Sequence, residues 1–342
     1  MKILKENKYT IPIFIPHKGC NNECVFCNQK KISGQVGQVT IEDVKNKIEE
    51  YLGYYTDQEK DKKVEIAFFG GSFTGLEVDN QRKYLEIANK YIRNGKVQTI
   101  RISTRPDYIN REILEMLKEY NVETVELGVQ SMDDGVLIAS KRGHNSKDVV
   151  DASRLIKDYG FKLGHQVMIG LPESTLEKEI YTSKKSIELG PDVVRIYPVY
   201  VLRETKLWEM LEDKDYTQVS LEDSVERTKR VYSEYIKKNI NVIRVGLQVT
   251  DEINEKNANI KGPVCDNYKE RILSSIMKDV IERKFQKRKS KLIYRLMERI
   301  YNSNSVITKV PVAQINYAKG NNKCNMDYFE NKYNVKFKVV KI

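Results

Sequence analysis

Three of the chain's five cysteines, Cys20, Cys24 and Cys27, stand together in the stretch GCNNECVFCNQ at spacing C-x3-C-x2-C, while Cys265 and Cys324 lie far away. Thiols gathered this closely point to metal or redox chemistry, and three readings compete. A structural zinc site wants four protein ligands, and only His17, three residues before Cys20, is near enough in sequence to be the fourth. A thioredoxin-like dithiol needs C-x2-C alone and leaves Cys20 idle. An iron–sulfur cubane takes four ligands, so three thiolates leave one iron open to a small molecule.

Other polar candidates sit where apolar runs end. Gly70, Gly71 and Ser72 close VEIAFFGGS, Ser103 lies in TIRIST, Gln130 lies in LGVQS, and Arg142 follows twelve residues later in SKRGH. His165 and Gln166 begin HQVMIGLP. Each has a bland reading: a tight Gly-Gly turn, a capping Gln, a surface Arg, a packed core His.

The elements that must position these residues alternate. Apolar, strand-like runs (IPIFIP, VEIAFFGG, TIRIST, TVELGVQ, KLGHQVMIG, VVRIYPVYV and VIRVGLQV) are separated by helix-periodic stretches at 42–54, 80–93, 111–120, 147–159 and 176–189. That alternation implies an α/β fold with a helix-covered parallel sheet, either doubly wound or a partial (β/α)6 TIM-type barrel. In a barrel the polar strand ends would line the C-terminal mouth, where active sites sit. The pattern places a core barrel over 1–254. A basic extension follows over 255–342, with one or two long helices across 265–300 and a strand at 335–339. Its helical stripe carries Lys284, Lys287, Arg288, Lys291 and Arg295.

The chain has 342 residues and a formal net charge of +11, which suggests an anionic partner, nucleic acid first, or a merely well-solvated surface. No apolar run is long enough to span a bilayer, and the opening apolar patch is too short for a signal peptide. A cytoplasmic location without membrane partners is expected, where thiols stay reduced.

With Phe26 before its last cysteine and a strand before the loop, C-x3-C-x2-C resembles the radical-SAM superfamily. The resemblance implies a 4Fe–4S cluster on Cys20, Cys24 and Cys27. S-adenosylmethionine (SAM) would chelate the open iron and be cleaved reductively to a 5′-deoxyadenosyl radical, with a flavodoxin or ferredoxin as electron donor. It further implies that Gly70, Gly71 and Ser72 approach the methionine amino group. Gln130 and Arg142 are implied at the ribose and the methionine carboxylate, and Ser103 and Gln166 elsewhere in the SAM pocket, although many relatives carry Asp at the position of Gln166.

The order STRPDYI, VELGVQS, RGH, GFK, GLP, RIYPVYVLRETKLWEM and VIRVGLQ is similar to the radical-SAM half of the Elongator catalytic subunit family, which modifies wobble uridine in tRNA. This implies a tRNA substrate, with Tyr197 and Arg203 as catalytic candidates on the substrate side. Eukaryotic and archaeal members space their cysteines more widely and append an acetyltransferase domain. Nothing after Asn254 resembles that domain, so a shorter bacterial Elongator-like protein is expected. Two rivals stand beside this reading: a radical-SAM enzyme for a small molecule or peptide, and a zinc-bearing RNA-binding module.

Overall fold

In the computed structural model the described residues are 8–15, 20, 24–28, 39–55, 62–247, 256–289 and 305–342. They divide into two compact units, Met1–Ser224 with Arg230–Val264, and Val225–Lys229 with Cys265–Ile342.

The first unit carries β1 (Lys8–Ile15), β2 (Lys63–Gly70), β3 (Thr99–Thr104), β4 (Val122–Gln130), β5 (Lys162–Ile169) and β6 (Val193–Pro198). A two-residue β7 (Val201–Leu202) leaves the sheet before β8 (Asn241–Val245) rejoins it. Seven strands pair in parallel in the order β1-β2-β3-β4-β5-β6-β8, a curled half-barrel with one strand more than a six-unit barrel. The run read as one strand, VVRIYPVYV, is broken at Pro198. A proline has no N–H to donate to a ladder, and the chain turns out to pair β7 antiparallel with β9 (Ile260–Lys261) instead.

The connecting helices are α1 (Ile41–Gly53), α2 (Val78–Arg93), α3 (Arg111–Glu119), α4 (Asp134–Ala139), α5 (Ser146–Asp158), α6 (Leu176–Glu188), α7 (Lys206–Glu212) and α8 (Leu221–Lys237). All but α2 begin at a Ser, Thr, Asp or Asn whose side chain accepts a first-turn backbone N–H. Such a cap is worth about 1 kcal/mol and fixes where each helix starts.

Helices cover one face of the sheet. There Ile66, Phe68, Ile100, Ile102, Val125, Leu127, Leu163 and Val194 are buried. His165 belongs to that face, its ring nitrogens 3.0 Å from Ser153 Oγ of α5 and 2.8 Å from Ser186 Oγ of α6, so it is a packed core residue. The opposite, inner face is charged. Arg101 donates to both Glu65 and Glu126, Lys8 Nζ reaches Glu65 at 2.6 Å, and Arg195 Nε reaches Glu126 at 2.8 Å. Glu65, Arg101 and Glu126 are at most 1 % exposed, so each charge must be paired where it stands.

The second unit holds α9 (Tyr268–Lys289), β10 (Ser305–Val310), α10 (Ile315–Lys319), α11 (Cys324–Tyr333) and β11 (Lys336–Lys341). Strands β10 and β11 pair in parallel, and Met277, Ile281, Phe285, Phe329 and Phe337 lie in one core. Of the basic helical stripe, Lys284 and Lys287 are exposed on α9; the Arg288 side chain, Lys291 and Arg295 lie outside the described residues. No described helix is long and apolar enough to cross a membrane.

Candidate functional site

The C-terminal ends of β1 and β2 approach closely. Gly71 donates its N–H to the Ile15 carbonyl at 3.1 Å, and a Cβ on Gly70 would stand 2.3 Å from that same oxygen. Gly70 also has φ +116°, so the position demands glycine twice over. The next residue, Ser72, is buried. Its Oγ shares a 2.6 Å bond with Thr104 Oγ1 and accepts the Arg105 N–H at 3.2 Å, which locks the end of β2 to the end of β3. The Ser72 backbone N–H is donated to the Cys20 thiol.

Burial pushes the Cys20 thiol up. The Ser72 N–H and Arg105 pull it down, Cys24 pushes it up again, and Arg142 pulls it down. Cys24 is buried and accepts Arg142 Nη1 at 3.2 Å. Cys27 sits one turn on, its N–H bonded to the Cys24 carbonyl at 3.0 Å. Between them Val25 donates to Ser140 O at 3.2 Å and accepts from Leu207 N–H at 2.7 Å, which fastens this turn to the ends of α4 and α7. The structure thus brings Cys20 and Cys24 together with Arg105 and Arg142. Among the described residues, no three His, Cys, Asp or Glu side chains are gathered within reach of one metal ion. His17 lies outside the described residues.

Gln130 ends β4 at a bulge, where the register with β5 slips between Gly128 and Gln130. Its φ is +63°, a left-handed conformation that costs a non-glycine residue about 1 kcal/mol and here aims the side chain. A Cβ on Gly128 would stand 3.0 Å from Gln130 Nε2 and 3.1 Å from Arg142 Nη2, so the bare glycine leaves room for both. Arg142 Nη2 then donates to the Gly128 carbonyl at 2.8 Å.

Buried polar atoms around this point have no partner among the described residues, including Gln130 Oε1, Arg142 Nε and Arg105 Nη1. An unmet buried group of this kind costs about 1–3 kcal/mol, so a cluster of them marks where a polar ligand fits. Two guanidinium donors and an amide acceptor beside two thiols suit a ligand bearing a carboxylate and hydroxyls. Three reduced thiols on one short loop suit an iron–sulfur cluster with one open iron.

Other sequence candidates lie elsewhere. Gln166 Nε2 is committed to Glu126 Oε2 at 2.8 Å and to Ser103 Oγ at 3.2 Å, so both residues belong to the charged inner wall. Tyr197 stands half-buried on the same face of β6 as Arg195. Arg203 is not brought to that wall: it is exposed after β7, its N–H and Nη1 donating to Asn259 O at 2.8 Å and Oδ1 at 3.3 Å. Sequence reasoning passed over Arg105 and His144. Arg105 directly follows β3, a position at a strand's C-terminal end like that of Gln130, which was the available signal. His144 Nε2 lies 3.3 Å from the Val129 carbonyl, and burial together with Arg142 lowers its pKa to about 3.

Comparison with known proteins agrees with this geometry. The radical SAM superfamily model matches residues 14–182, and the radical SAM C-terminal domain model matches 191–278. A tRNA uridine(34) acetyltransferase of Methanocaldococcus infernus is 32 % identical over 200 residues, 52 % of this chain and 36 % of the relative. An uncharacterised protein of Methanocaldococcus jannaschii is 30 % identical over 227 residues, 63 % of this chain and 68 % of the relative. The structure of the archaeal Methanocaldococcus infernus Elp3 with an N-terminal deletion superposes with a TM-score of 0.63 at 22 % identity, covering 81 % of this chain and 64 % of that one. The chain spans about a third of the length of the tRNA uridine(34) acetyltransferases it matches. The matched family uses a 4Fe–4S cluster and SAM. One family model covers the cysteine loop, a second follows it, and a relative 30 % identical is covered over 68 % of its length; on that ground the chain belongs to the radical SAM superfamily.

Proposed function

We propose that this radical SAM enzyme cleaves SAM reductively at a 4Fe–4S cluster and modifies a tRNA base near the anticodon. When bound, the cluster and SAM supply a 5′-deoxyadenosyl radical able to abstract hydrogen from carbon. Cys20, Cys24 and Cys27 would hold the cluster. Arg142, always charged, would donate to the methionine carboxylate from Nε, the nitrogen it does not spend on Cys24 and Gly128. Gln130 would accept from a ribose hydroxyl, and the backbone at Gly70 and Gly71 would meet the amino group. The closed β1–β2 corner and the buried Ser72–Thr104 pair hold this end of the sheet in place.

The observation that carries the cofactor reading is the convergence of unmet Arg142 Nε and Gln130 Oε1 beside Cys24. The tRNA reading is supported by the relatives acting on tRNA uridine and by the charge of +11. Anaerobic reconstitution followed by SAM and a strong reductant should release 5′-deoxyadenosine. Mass spectrometry of tRNA nucleosides from cells with and without the gene should show one nucleoside lost. A reconstituted protein that binds no iron would remove the cofactor reading; unchanged nucleosides would remove only the tRNA reading.

A further inference from the structure

Strands β6 and β8 form the edge of the sheet farthest from β1, and their inner face carries a charge that no described carboxylate neutralises. Each of the other inner cations has a carboxylate partner. Glu65 receives Lys8 and Arg101, and Glu126 receives Arg101 and Arg195. The Arg195 guanidinium also lies 5.0 Å from the Phe69 ring centroid. Directly across from Arg195 in the β6–β8 register stands Arg244. Residues in register share a face, so two like charges are set side by side, an arrangement that destabilises a sheet unless something offsets it.

Arg244 is half-buried, and its Nε donates to the Gly246 carbonyl at 3.2 Å. Among the described residues no carboxylate lies within ion-pair distance of it. Burial lowers its pKa, Tyr197 opposes this, and Arg195 adds to it. Tyr197 and Arg244 are each the penultimate residue of their strand. Both therefore stand toward the C-terminal mouth, the same end as Gln130 on β4.

We infer that Arg244, with Tyr197 beside it, is a substrate subsite that takes an anionic group, a phosphodiester of the RNA next to the nucleotide being modified. This rests on the RNA reading above. A guanidinium grips two phosphate oxygens at once, and a phenol ring adds a stacking surface or a hydroxyl donor for the adjoining nucleotide. The arrangement divides the mouth by chemistry. The β1–β4 side offers thiols, an amide and Arg142, whereas the β6–β8 side offers an unmatched cation with an aromatic neighbour. An anion there would cancel the Arg195–Arg244 repulsion, so bound substrate supplies a charge that no described residue supplies.

The test is binding of an unmodified anticodon stem–loop RNA across a salt series by wild type, Arg244→Gln and Arg244→Lys. Arg244→Gln should bind about tenfold or more weakly at low salt, and its log affinity–log salt slope should be shallower by about 0.7–0.9. Arg244→Lys should keep the slope. SAM affinity equal to wild type shows that each variant is folded. A second arm needs no variant: stem–loops with single methylphosphonate linkages, scanned through the loop, should reveal one linkage whose neutralisation weakens wild-type binding by a similar factor. Wild-type affinity and slope in Arg244→Gln, or a scan with no sensitive linkage, would overturn the subsite while leaving the RNA reading intact. A wild-type protein that does not bind the stem–loop would overturn the RNA reading and the subsite with it.

Discussion

Arg142 divides one guanidinium among three tasks: Nη1 on Cys24, Nη2 on the Gly128 carbonyl, and Nε left over. Arg142→Ala should therefore bind SAM about tenfold or more weakly, since a hydrogen bond to a charged group is worth about 1.5–3 kcal/mol. Iron content should remain near wild type; equilibrium binding to the reconstituted protein reads the first and iron analysis the second. An Arg142→Ala protein with unchanged SAM affinity removes the residue from the site. Cys20→Ala, Cys24→Ala and Cys27→Ala should each abolish iron and sulfide loading, whereas Cys324→Ala, altering an exposed thiol in the second unit, should load normally. Loading lost in Cys324→Ala would mean that the loop is not the whole ligand set. At this scale the family resemblance pointed to Gln130 and Arg142, and the structure sets their side chains together over Gly128. The sequence was silent on Arg105, because nothing in STRPDYI tells which way a side chain after a strand will turn.

The strands and helices were legible for a plain reason: near-continuous apolar strands and 3.6-period helices alternate, and few folds accept that pattern. What alternation does not reveal is whether a polar face meets water. Glu65, Arg101, Glu126 and Arg195, polar positions inside otherwise apolar strands, are the paired inner wall of a curled sheet. Gln166 and Ser103, expected in the SAM pocket, are bonded to each other and to Glu126 in that wall. The break at Pro198 was foreshadowed by the residue but not its consequence, since β7 finds its partner about sixty residues later in β9. Gly70 offers the clearest prediction for an element. Gly70→Ala must place a Cβ against the Ile15 carbonyl at 2.3 Å in a left-handed conformation. Parting β1 from β2 should cost on the order of 3 kcal/mol or more, measured by urea unfolding. A loss below about 0.5 kcal/mol would show that the corner is softer than its geometry.

For the molecule as a whole, acid sensitivity follows from its buried histidines. Two of the chain's three histidines, His144 and His165, are buried, and burial lowers each to about 3. An unfolded histidine takes up its proton near pH 6.5, while the folded one resists until about pH 3. Stability is therefore complete above pH 6.5 and falls as the pH drops toward 3, by about 1.4 kcal/mol per pH unit for each such group. Between pH 7 and 5 the folded and unfolded carboxylates are largely ionised, so urea midpoints there isolate the histidines. His165→Asn should flatten that dependence, and a profile as steep as wild type would contradict the assignment.

The strand order also has a temporal side. Each strand of the sheet pairs with the strand made just before it, with β8 joining β6 after the β7 excursion. Chains are synthesised at about 5–20 residues per second and domains fold from the N-terminus. Roughly 5–20 s therefore separate the emergence of Arg142 from that of Arg244. The cysteine loop, the Gly70 corner, Gln130 and Arg142 can settle against β1–β4 while the cationic edge is still inside the ribosome. Throughout that interval the newest strand is the better-furnished border for pairing, because the opposite one, β1, carries Pro12 and lacks a donor there.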